Sequence, residues 1–205
     1  LGCRLNIYEG EIIKNHLNNN NIKNVTVINS CAVTAEAEKK VAYEIRKAKR
    51  INPENKIIVT GCAAQINPKK YHTLKEVDLV LGNKEKLLSD VWSNLNFSEP
   101  IQVDDILLEK KTVPSTIEKF DGKSRAYIEI QQGCDHRCTF CIIPYGRGNN
   151  RSVPAGEIVG RIKKIVKNGY KEVVLTGVDI TDYGKDLPAQ PTFSNLIKRI
   201  IKLVP

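Results

Sequence analysis

The chain has 205 residues, enough for one large domain or two small ones, and its formal net charge is +9. The basic charge suits a polyanionic partner such as RNA, although a lysine-rich chain with solvated side chains would show the same charge. With a mean hydropathy of -0.31 and no apolar run near the roughly 20 residues of a membrane-spanning helix, the chain is predicted to have no membrane partner.

Residues 1–97 alternate short apolar runs with amphipathic segments. The apolar runs are typical of buried parallel strands, and Thr34 is placed to cap the second amphipathic segment as a helix. This alternation predicts an α/β fold with an open parallel sheet of the Rossmann or flavodoxin-like kind. The predicted elements are a helix at 8–17, a strand at 25–29, a helix at 35–49, strands at 56–60 and 79–81, and a helix at 84–92.

Residues 98–123 contain two prolines and little periodicity, which predicts a linker with one short extended piece. A second β/α series over residues 124–205 predicts the opening units of a partial (β/α) barrel. Because the chain contains no methionine and opens on Leu1, we expect a segment of a longer protein. The predicted elements of this half are a strand at 126–131, a helix at 155–168, a strand at 172–176 and a helix at 192–203.

Three cysteines, Cys134, Cys138 and Cys141, lie within eight residues in a C-x3-C-x2-C spacing. Three thiolates at this spacing can hold three irons of a cubane cluster and leave the fourth iron without a protein ligand, whereas electron-transfer ferredoxins normally give every iron a cysteine. An open iron is a binding site, so the motif indicates chemistry at the cluster. The alternative is a zinc knuckle, which requires a fourth soft ligand nearby, and His136 is too close to its neighbours to complete a tetrahedron.

Three other cysteines lie in loops of the first half. Cys31 and Cys62 each follow a predicted strand, and Cys3 precedes the first predicted helix. Loops at the carboxyl ends of parallel strands meet at one edge of a sheet, so these cysteines can meet at one point. An isolated cysteine is usually a small buried hydrophobe, but three in equivalent positions favour a shared metal site. Cysteines spaced for metal thiolates also predict a reducing, cytoplasmic location.

The cysteine segments carry a family resemblance. The C-x3-C-x2-C motif resembles that of radical S-adenosylmethionine (SAM) enzymes, in which the open iron chelates the amino and carboxylate groups of SAM. The remaining motifs resemble those of the methylthiotransferases, most closely the branch that acts on threonylcarbamoyl-adenosine in tRNA. The segments that carry the family resemblance are 1–9, 29–34, 60–65, 132–135, 140–145 and 147–152, and those that carry the branch are 34–39 and 175–179.

The resemblance implies two [4Fe–4S] clusters and SAM as cofactors. By resemblance, Cys134, Cys138 and Cys141 hold the SAM-cleaving cluster, and the cysteines of the first half hold an auxiliary cluster that delivers sulfur. The implied reaction inserts sulfur at carbon 2 of threonylcarbamoyl-adenosine beside the anticodon and methylates it. Implied partners are tRNA, an electron donor such as flavodoxin or ferredoxin, and a sulfur source, with an RNA-binding TRAM domain beyond residue 205.

Two kinds of alternative function stay open. Within the same family, the substrate would be isopentenyl-adenosine in tRNA or an aspartate of a ribosomal protein. In another class, the chain would be a non-catalytic iron–sulfur module that carries electrons or docks on RNA. The presence of two three-cysteine sites argues against a non-catalytic module, because an electron carrier gains nothing from two open irons.

Four further residues are candidates for SAM binding. Phe140 can shield the cluster, although loop packing explains it equally. Arg147, with Arg151, can meet the SAM carboxylate or an RNA phosphate, unless these arginines form ion pairs. The resemblance places Gly177 and Asp179 near the SAM amino group, although Asp179 also suits a loop cap. No role is predicted for the histidines, His16, His72 and His136.

Overall fold

The structure is a computed structural model that describes residues 2–113, 117, 120 and 122–204, so Pro114 of the predicted linker lies outside the described residues. No helix in these ranges has both the length and the apolar composition needed to cross a membrane. The α-helices of the described residues are α1 (Arg4–Asn19), α2 (Ala35–Ile51), α3 (Cys62–Ile66), α4 (Pro68–His72), α5 (Ser89–Ser93), α6 (Ile143–Arg147), α7 (Ala155–Lys167) and α8 (Phe193–Leu203). The strands are β1 (Val25–Ser30), β2 (Lys56–Gly61), β3 (Leu79–Leu81), β4 (Ile101–Gln102), β5 (Ala126–Glu129), β6 (Gln131–Gln132), β7 (Arg151–Ser152) and β8 (Val173–Thr176).

The first half is built on a parallel sheet in the order β1-β2-β3-β4, which confirms the predicted α/β fold. Successive side chains of β2 point to opposite faces, and both faces are covered. Ile57 and Val59 pack with Ile45 of α2, whereas Ile58 packs with Ile13 of α1 on the other face. Burial on both faces is the reason that this strand is continuously apolar in sequence.

Several elements differ from their predicted bounds. Helix α1 begins at Arg4, four residues before the predicted start, which makes Cys3 its N-cap. The helix predicted over 84–92 is interrupted at Leu88, whose backbone is extended, and this break lets Trp92 donate its indole N–H to the carbonyl oxygen of Lys86 (2.9 Å). The predicted cap of α2 is confirmed, since the amide of Ala37 donates to Thr34 Oγ1 (3.1 Å).

Some short elements escaped prediction because they are too brief to show periodicity. Helices α3, α4 and α6 are each five residues long. Strand β4 lies inside the predicted linker, where Ile101 pairs in parallel with Val80 of β3, so the start of that segment belongs to the sheet.

The second half begins with the parallel pair β5 and β8, connected through α7 and followed by α8, as expected for the opening units of a (β/α) barrel. The strand predicted over 126–131 is divided at Ile130. Its last residue, Gln131, forms β6 together with Gln132, and β6 pairs antiparallel with β7. The division directs the chain away from the β5–β8 pair just before the loop of Cys134.

Helix α1 is shared by the two halves, because it is buried on two faces. Ile13 packs against the first sheet, whereas Tyr8 and Ile12 belong to the core formed around β5 and α7. Arg161 of α7 donates from Nη1 to the hydroxyl of Tyr8 (3.1 Å). The orientation of the two halves is therefore set by one helix that contributes to both cores.

We predict that Ile12→Ala lowers the free energy of unfolding by about 2–5 kcal/mol, because it removes a buried side chain from the shared helix. Ile51→Ala is the matched control. Its side chain is 63% exposed at the end of α2, so its effect should stay within about 0.5 kcal/mol. Urea denaturation of the metal-free chain, followed by circular dichroism, measures the free energy of unfolding of both variants. Equal losses of stability would show that α1 does not pack into the second core.

Candidate metal centres

The first cysteine triad lies at one edge of the parallel sheet. The register pairs Ser30 with Gly61, so Cys31 and Cys62, which follow them, leave the sheet at the same level. Gly61 has a φ of +96°, and a Cβ there would lie 2.5 Å from the amide nitrogen of Ser30. Only glycine therefore lets the chain turn sharply from β2 into Cys62.

Cys3 is brought to the same edge by the start of α1. A Cβ on Gly2 would lie 2.9 Å from Cβ of Cys31, so the backbone beside Cys3 packs directly on that residue. The Asn6 side chain continues this contact, because its Nδ2 donates to the carbonyl oxygen of Ser30 (2.9 Å) and its Oδ1 lies 3.6 Å from Sγ of Cys3. The structure thus brings the three separate loops together, and all three cysteines are free thiols.

The second triad lies on the loop after β6. The amide of Cys134 donates to the carbonyl oxygen of Gly148 (3.0 Å), and the amide of Cys141 donates to that of Cys138 (3.0 Å). Burial, then the nearby carboxylate of Asp179, raises the pKa of the Cys134 thiol. A bound cation would reverse this, because metal coordination deprotonates a thiol.

The spacing of the cysteine sulfur atoms bears on whether a single metal ion could be bound by each triad. A tetrahedral zinc ion with Zn–S bonds of about 2.3 Å would hold its sulfurs roughly 3.8 Å apart. Within the described residues, the one group of three His, Cys or acidic ligand atoms within 4.8 Å of one another is His136, Asp179 and Asp182. The three sulfur atoms of each cysteine triad therefore do not have the spacing of a single-ion site.

The loop after β8 lies beside the second triad. Gln131 Oε1 accepts from the amides of Val178 (2.8 Å) and Asp179 (2.9 Å), and a Cβ on Gly177 would lie 2.8 Å from the same oxygen. Asp179 Oδ2 lies 3.6 Å from Sγ of Cys134. A hydrogen bond from Thr181 Oγ1 (2.5 Å) lowers the pKa of Asp179 and keeps it a carboxylate. The predicted SAM contacts of Gly177 and Asp179 stay predictions, made at positions that adjoin the cysteine loop.

Other residues near this loop behave differently from one another. Phe140 is 91% exposed, so it packs on nothing in the described residues, and its predicted SAM contact also stays a prediction. His136, for which no role was predicted, places Nε2 3.3 Å from Asp179 Oδ2 and 3.6 Å from Asp182 Oδ2. No role was predicted for Gln131 either, although two polar residues at the end of an apolar strand are a usable signal of a site.

Comparison with known proteins matches two separate segments of the chain to two family models. An uncharacterized protein family, UPF0004, matches residues 1–82, and the radical SAM superfamily matches residues 128–203. The threonylcarbamoyladenosine tRNA methylthiotransferase MtaB of Rickettsia prowazekii is 56% identical over 204 residues, which are 100% of this chain and 48% of that protein. The chain belongs to the radical-SAM methylthiotransferase family.

Further relatives lie in the same family. The protein of the same name from Aquifex aeolicus is 39% identical over 198 residues, 91% of this chain and 48% of that protein. A tRNA-2-methylthio-N(6)-dimethylallyladenosine synthase of Desulfotalea psychrophila is 33% identical over 223 residues, 97% of this chain and 49% of that protein. The chain thus spans about half the length of these relatives.

The fold also matches a solved structure. A radical SAM methyltransferase from Kitasatospora setae, TsrM, determined with tryptophan and a SAM analogue, aligns with 93% of this chain and 42% of its own, with a TM-score of 0.54. Its sequence identity is 11%, so the likeness concerns the fold alone. Membership of the radical SAM superfamily implies an iron–sulfur cluster and SAM as cofactors, and the donor set of the second triad fits such a cluster.

Arg147, whose predicted SAM contact stays a prediction, is buried. Its side chain is 3% exposed and turns inward from the end of α6. Nη1 donates to Glu9 Oε1 (2.7 Å) and Gln132 Oε1 (2.9 Å), and Nη2 donates to Asn6 Oδ1 (2.7 Å). Arg151 is also buried and donates from Nη2 to the carbonyl oxygen of Arg147 (2.7 Å). Both guanidinium groups are therefore held by acceptors within the protein.

A buried group of charges surrounds Arg147. Glu9 and Lys86 are both fully buried, and Lys86 Nζ donates to Glu9 Oε2 (2.7 Å). Burial alone would raise the pKa of Glu9, but Arg147 and Lys86 lower it to about 2. Burial and the nearby Glu9 raise the pKa of Glu129 to about 7. Sequence analysis assigned no role to Glu9, yet a charged residue among buried apolar positions of α1 is a usable signal of a buried partner.

We predict that Glu129→Gln removes a loss of stability between pH 4.5 and 7. Because the folded chain holds the Glu129 proton up to about pH 7 and the unfolded chain releases it near 4.5, this carboxyl stabilises the fold at low pH. That stabilisation falls by about 3 kcal/mol as the pH rises through this window. Urea denaturation of the metal-free chain at several pH values should show a flatter profile for the variant.

The control for this experiment is Glu54→Gln, which changes an exposed glutamate and should keep the wild-type profile. A Glu129→Gln profile that parallels the wild type would contradict the assignment of the proton to Glu129.

Proposed function

We propose that the protein containing this chain is a tRNA methylthiotransferase that adds a methylthio group to carbon 2 of threonylcarbamoyl-adenosine beside the anticodon. The observation that carries the proposal is that the segment following the second cysteine triad packs against a cysteine of the first. Gly146, five residues after Cys141, packs against Cys62, since a Cβ there would lie 3.1 Å from the Cβ of Cys62. The name and the 56% identity of the Rickettsia relative support this substrate.

The two triads have different proposed roles. Cys134, Cys138 and Cys141 hold one [4Fe–4S] cluster, which, when bound with an open iron, supplies the electron for reductive cleavage of SAM. The cysteines of the first half hold a second cluster and form the sulfur-delivery site. In this proposal Asp179 binds the SAM amino group. Its ionised state beside Cys134 supports this role, and Gln131 accepts the amide hydrogen of Asp179.

The proposal also includes the partners. The net charge of +9 suits a tRNA, and the cluster chemistry requires an electron donor, such as flavodoxin or ferredoxin, and a source of sulfur. The proposal includes a cytoplasmic location. The second candidate substrate is dimethylallyl-adenosine in tRNA, which the name of the Desulfotalea relative favours.

We predict that the full-length protein, reconstituted anaerobically with iron and sulfide, binds about eight irons, four at each triad. The Cys134→Ala/Cys138→Ala/Cys141→Ala variant should keep about half of that iron, because the other triad lies on separate elements. The reciprocal triple variant at Cys3, Cys31 and Cys62 is the matched control and should also keep about half. Iron analysis and electron paramagnetic resonance (EPR) measure the result. Complete loss of iron from either variant, or native zinc, would disprove two independent clusters.

We predict that replacing Cys3, Cys31 and Cys62 by alanine in the full-length protein abolishes the methylthio product but leaves formation of 5′-deoxyadenosine. The physical reason is that SAM cleavage needs only the triad of the second half, whereas sulfur delivery needs the first. Mass spectrometry of both products, after incubation with tRNA that carries threonylcarbamoyl-adenosine, measures the split. Full methylthiolation by the variant would exclude the sulfur-delivery role, and wild-type activity on dimethylallyl-adenosine alone would exclude the proposed substrate.

A further inference from the structure

The buried guanidinium of Arg147 lies where the two halves of the chain meet. Arg147 belongs to α6, six residues after Cys141, yet its acceptors Asn6 and Glu9 belong to α1 in the other half. Glu9 and Arg147 are 138 residues apart in sequence. A charged side chain that is this deeply buried and this fully bonded has a defined structural task, because its desolvation must be offset by specific partners.

Arg147 and its neighbours contact the surroundings of the whole first triad. Asn6, which accepts from Arg147 Nη2, lies 3.6 Å from Cys3 through its Oδ1 and donates to the carbonyl oxygen of Ser30, the residue before Cys31. On the third side, Asn83 Nδ2 donates to the carbonyl oxygen of Gly146 and lies 3.7 Å from Sγ of Cys62. Cys3, Cys62 and the residue before Cys31 are therefore at most two contacts away from the α6 segment.

The same guanidinium also reaches the second triad. Arg147 Nη1 donates to Gln132 Oε1 (2.9 Å), and Gln132 precedes Cys134 by two residues. Arg147 thus holds the strand that leads into the second cysteine loop and the helix that starts at the first triad. Arg161 also crosses between the two halves, but it bonds Tyr8 and Glu157 rather than the segments beside the cysteines.

The charge of this buried group is positive. Lys86 Nζ has three acceptors, Glu9 Oε2 (2.7 Å), Asn83 Oδ1 (2.5 Å) and Asn29 Oδ1 (3.3 Å), which is the pattern of an ammonium with every hydrogen bonded. Burial alone would lower the pKa of Arg147, but Cys62, Glu9 and Cys3 raise it well above its usual value. Burial lowers the pKa of Lys86, but its three acceptors hold it as an ammonium, so Lys86 and Arg147 against Glu9 give these three groups a net charge of +1.

We propose that Arg147, a residue of the radical SAM half, is a positioning and charge-compensating residue of the cysteine site in the first half. The proposal rests on the proposed function, in which Cys3, Cys31 and Cys62 hold a cluster. A thiolate-ligated cluster is anionic and becomes more so on reduction, so a buried positive charge beside it favours the reduced form. Arg147 therefore sets the reduction potential of a site that lies in the other half of the chain.

Opposite charge changes test the proposal. In the full-length protein with Cys134→Ala/Cys138→Ala/Cys141→Ala, only the first triad can bind a cluster. Reduction by dithionite, one electron per cluster, is followed by EPR at fixed potentials. Arg147→Met removes a positive charge and should shift the midpoint to more negative potential, whereas Glu9→Gln removes a negative charge and should shift it to more positive potential. Each variant should change the equilibrium constant for one-electron reduction of the cluster by on the order of tenfold, which corresponds to a midpoint shift of about 59 mV.

Matched controls separate this role from a structural one. Arg161→Met removes another buried guanidinium from the same interface but should leave the midpoint unchanged, because the bonds of Arg161 go to Tyr8 and Glu157. Arg147→Lys keeps the charge and should keep the midpoint near that of wild type. If Arg147→Met fails to load iron, Arg147→Lys and Glu9→Gln decide the outcome by the same criteria.

The results distinguish failure of the proposed role of Arg147 from failure of the proposed function. Midpoints that shift in the same direction for Arg147→Met and Glu9→Gln, or that do not shift, overturn the role of Arg147 and leave the two-cluster function intact. A triple-cysteine background that binds no cluster at all overturns the proposed function, and the role of Arg147 falls with it.

Discussion

The buried ion group of Glu9, Lys86 and Arg147 is the constraint on which the arrangement of the two halves depends. Charged groups without water are stable only if their partners meet them with good geometry, and removing one partner of such a pair costs about 3–5 kcal/mol. Glu9 accepts from both cations, so α1, the turn at residues 85–87 and α6 must hold one relative position. A mutual shift of the two halves would leave at least one of these charges unpaired.

The geometry of the two cysteine sites depends on this arrangement in different ways. The first triad is assembled from three loops, and its parts are held by parallel strand register and by Gly61. The second triad lies on one continuous loop, held at its start by the bond from the Cys134 amide to Gly148. The first site therefore depends on tertiary packing, whereas the second is encoded mainly by local spacing. Contact between Gly146 and Cys62 joins them at the interface.

The chemistry proposed for the chain requires an accessible cysteine loop and a tightly bonded support behind it. The cysteine loop of the second half is open to solvent at Phe140, so a cofactor and a nucleic-acid substrate can reach it. Behind the loop, the structure is buried and polar. Gln131 accepts from the backbone amides of Val178 and Asp179, whereas Arg147 bonds the side chain of Gln132. An exposed reactive loop on a tightly bonded support lets a substrate enter while the cysteine positions stay constant.

Much of the fold and both cysteine triads could be predicted from the sequence, because strand periodicity, helix capping and metal-ligand spacing are properties of a few neighbouring residues. The bounds failed where tertiary contacts override local preference, as at Leu88, where the chain breaks so that Trp92 can bond Lys86. The inward turn of Arg147 was also decided by the tertiary structure. Its carboxylate partner lies 138 residues away, and only the packing of α1 between two cores brings Glu9 to meet it. The sequence by itself determined which thiols are present and how they are spaced, and the folded chain decided which charges surround them, because burial is set by contacts between residues that are distant along the chain.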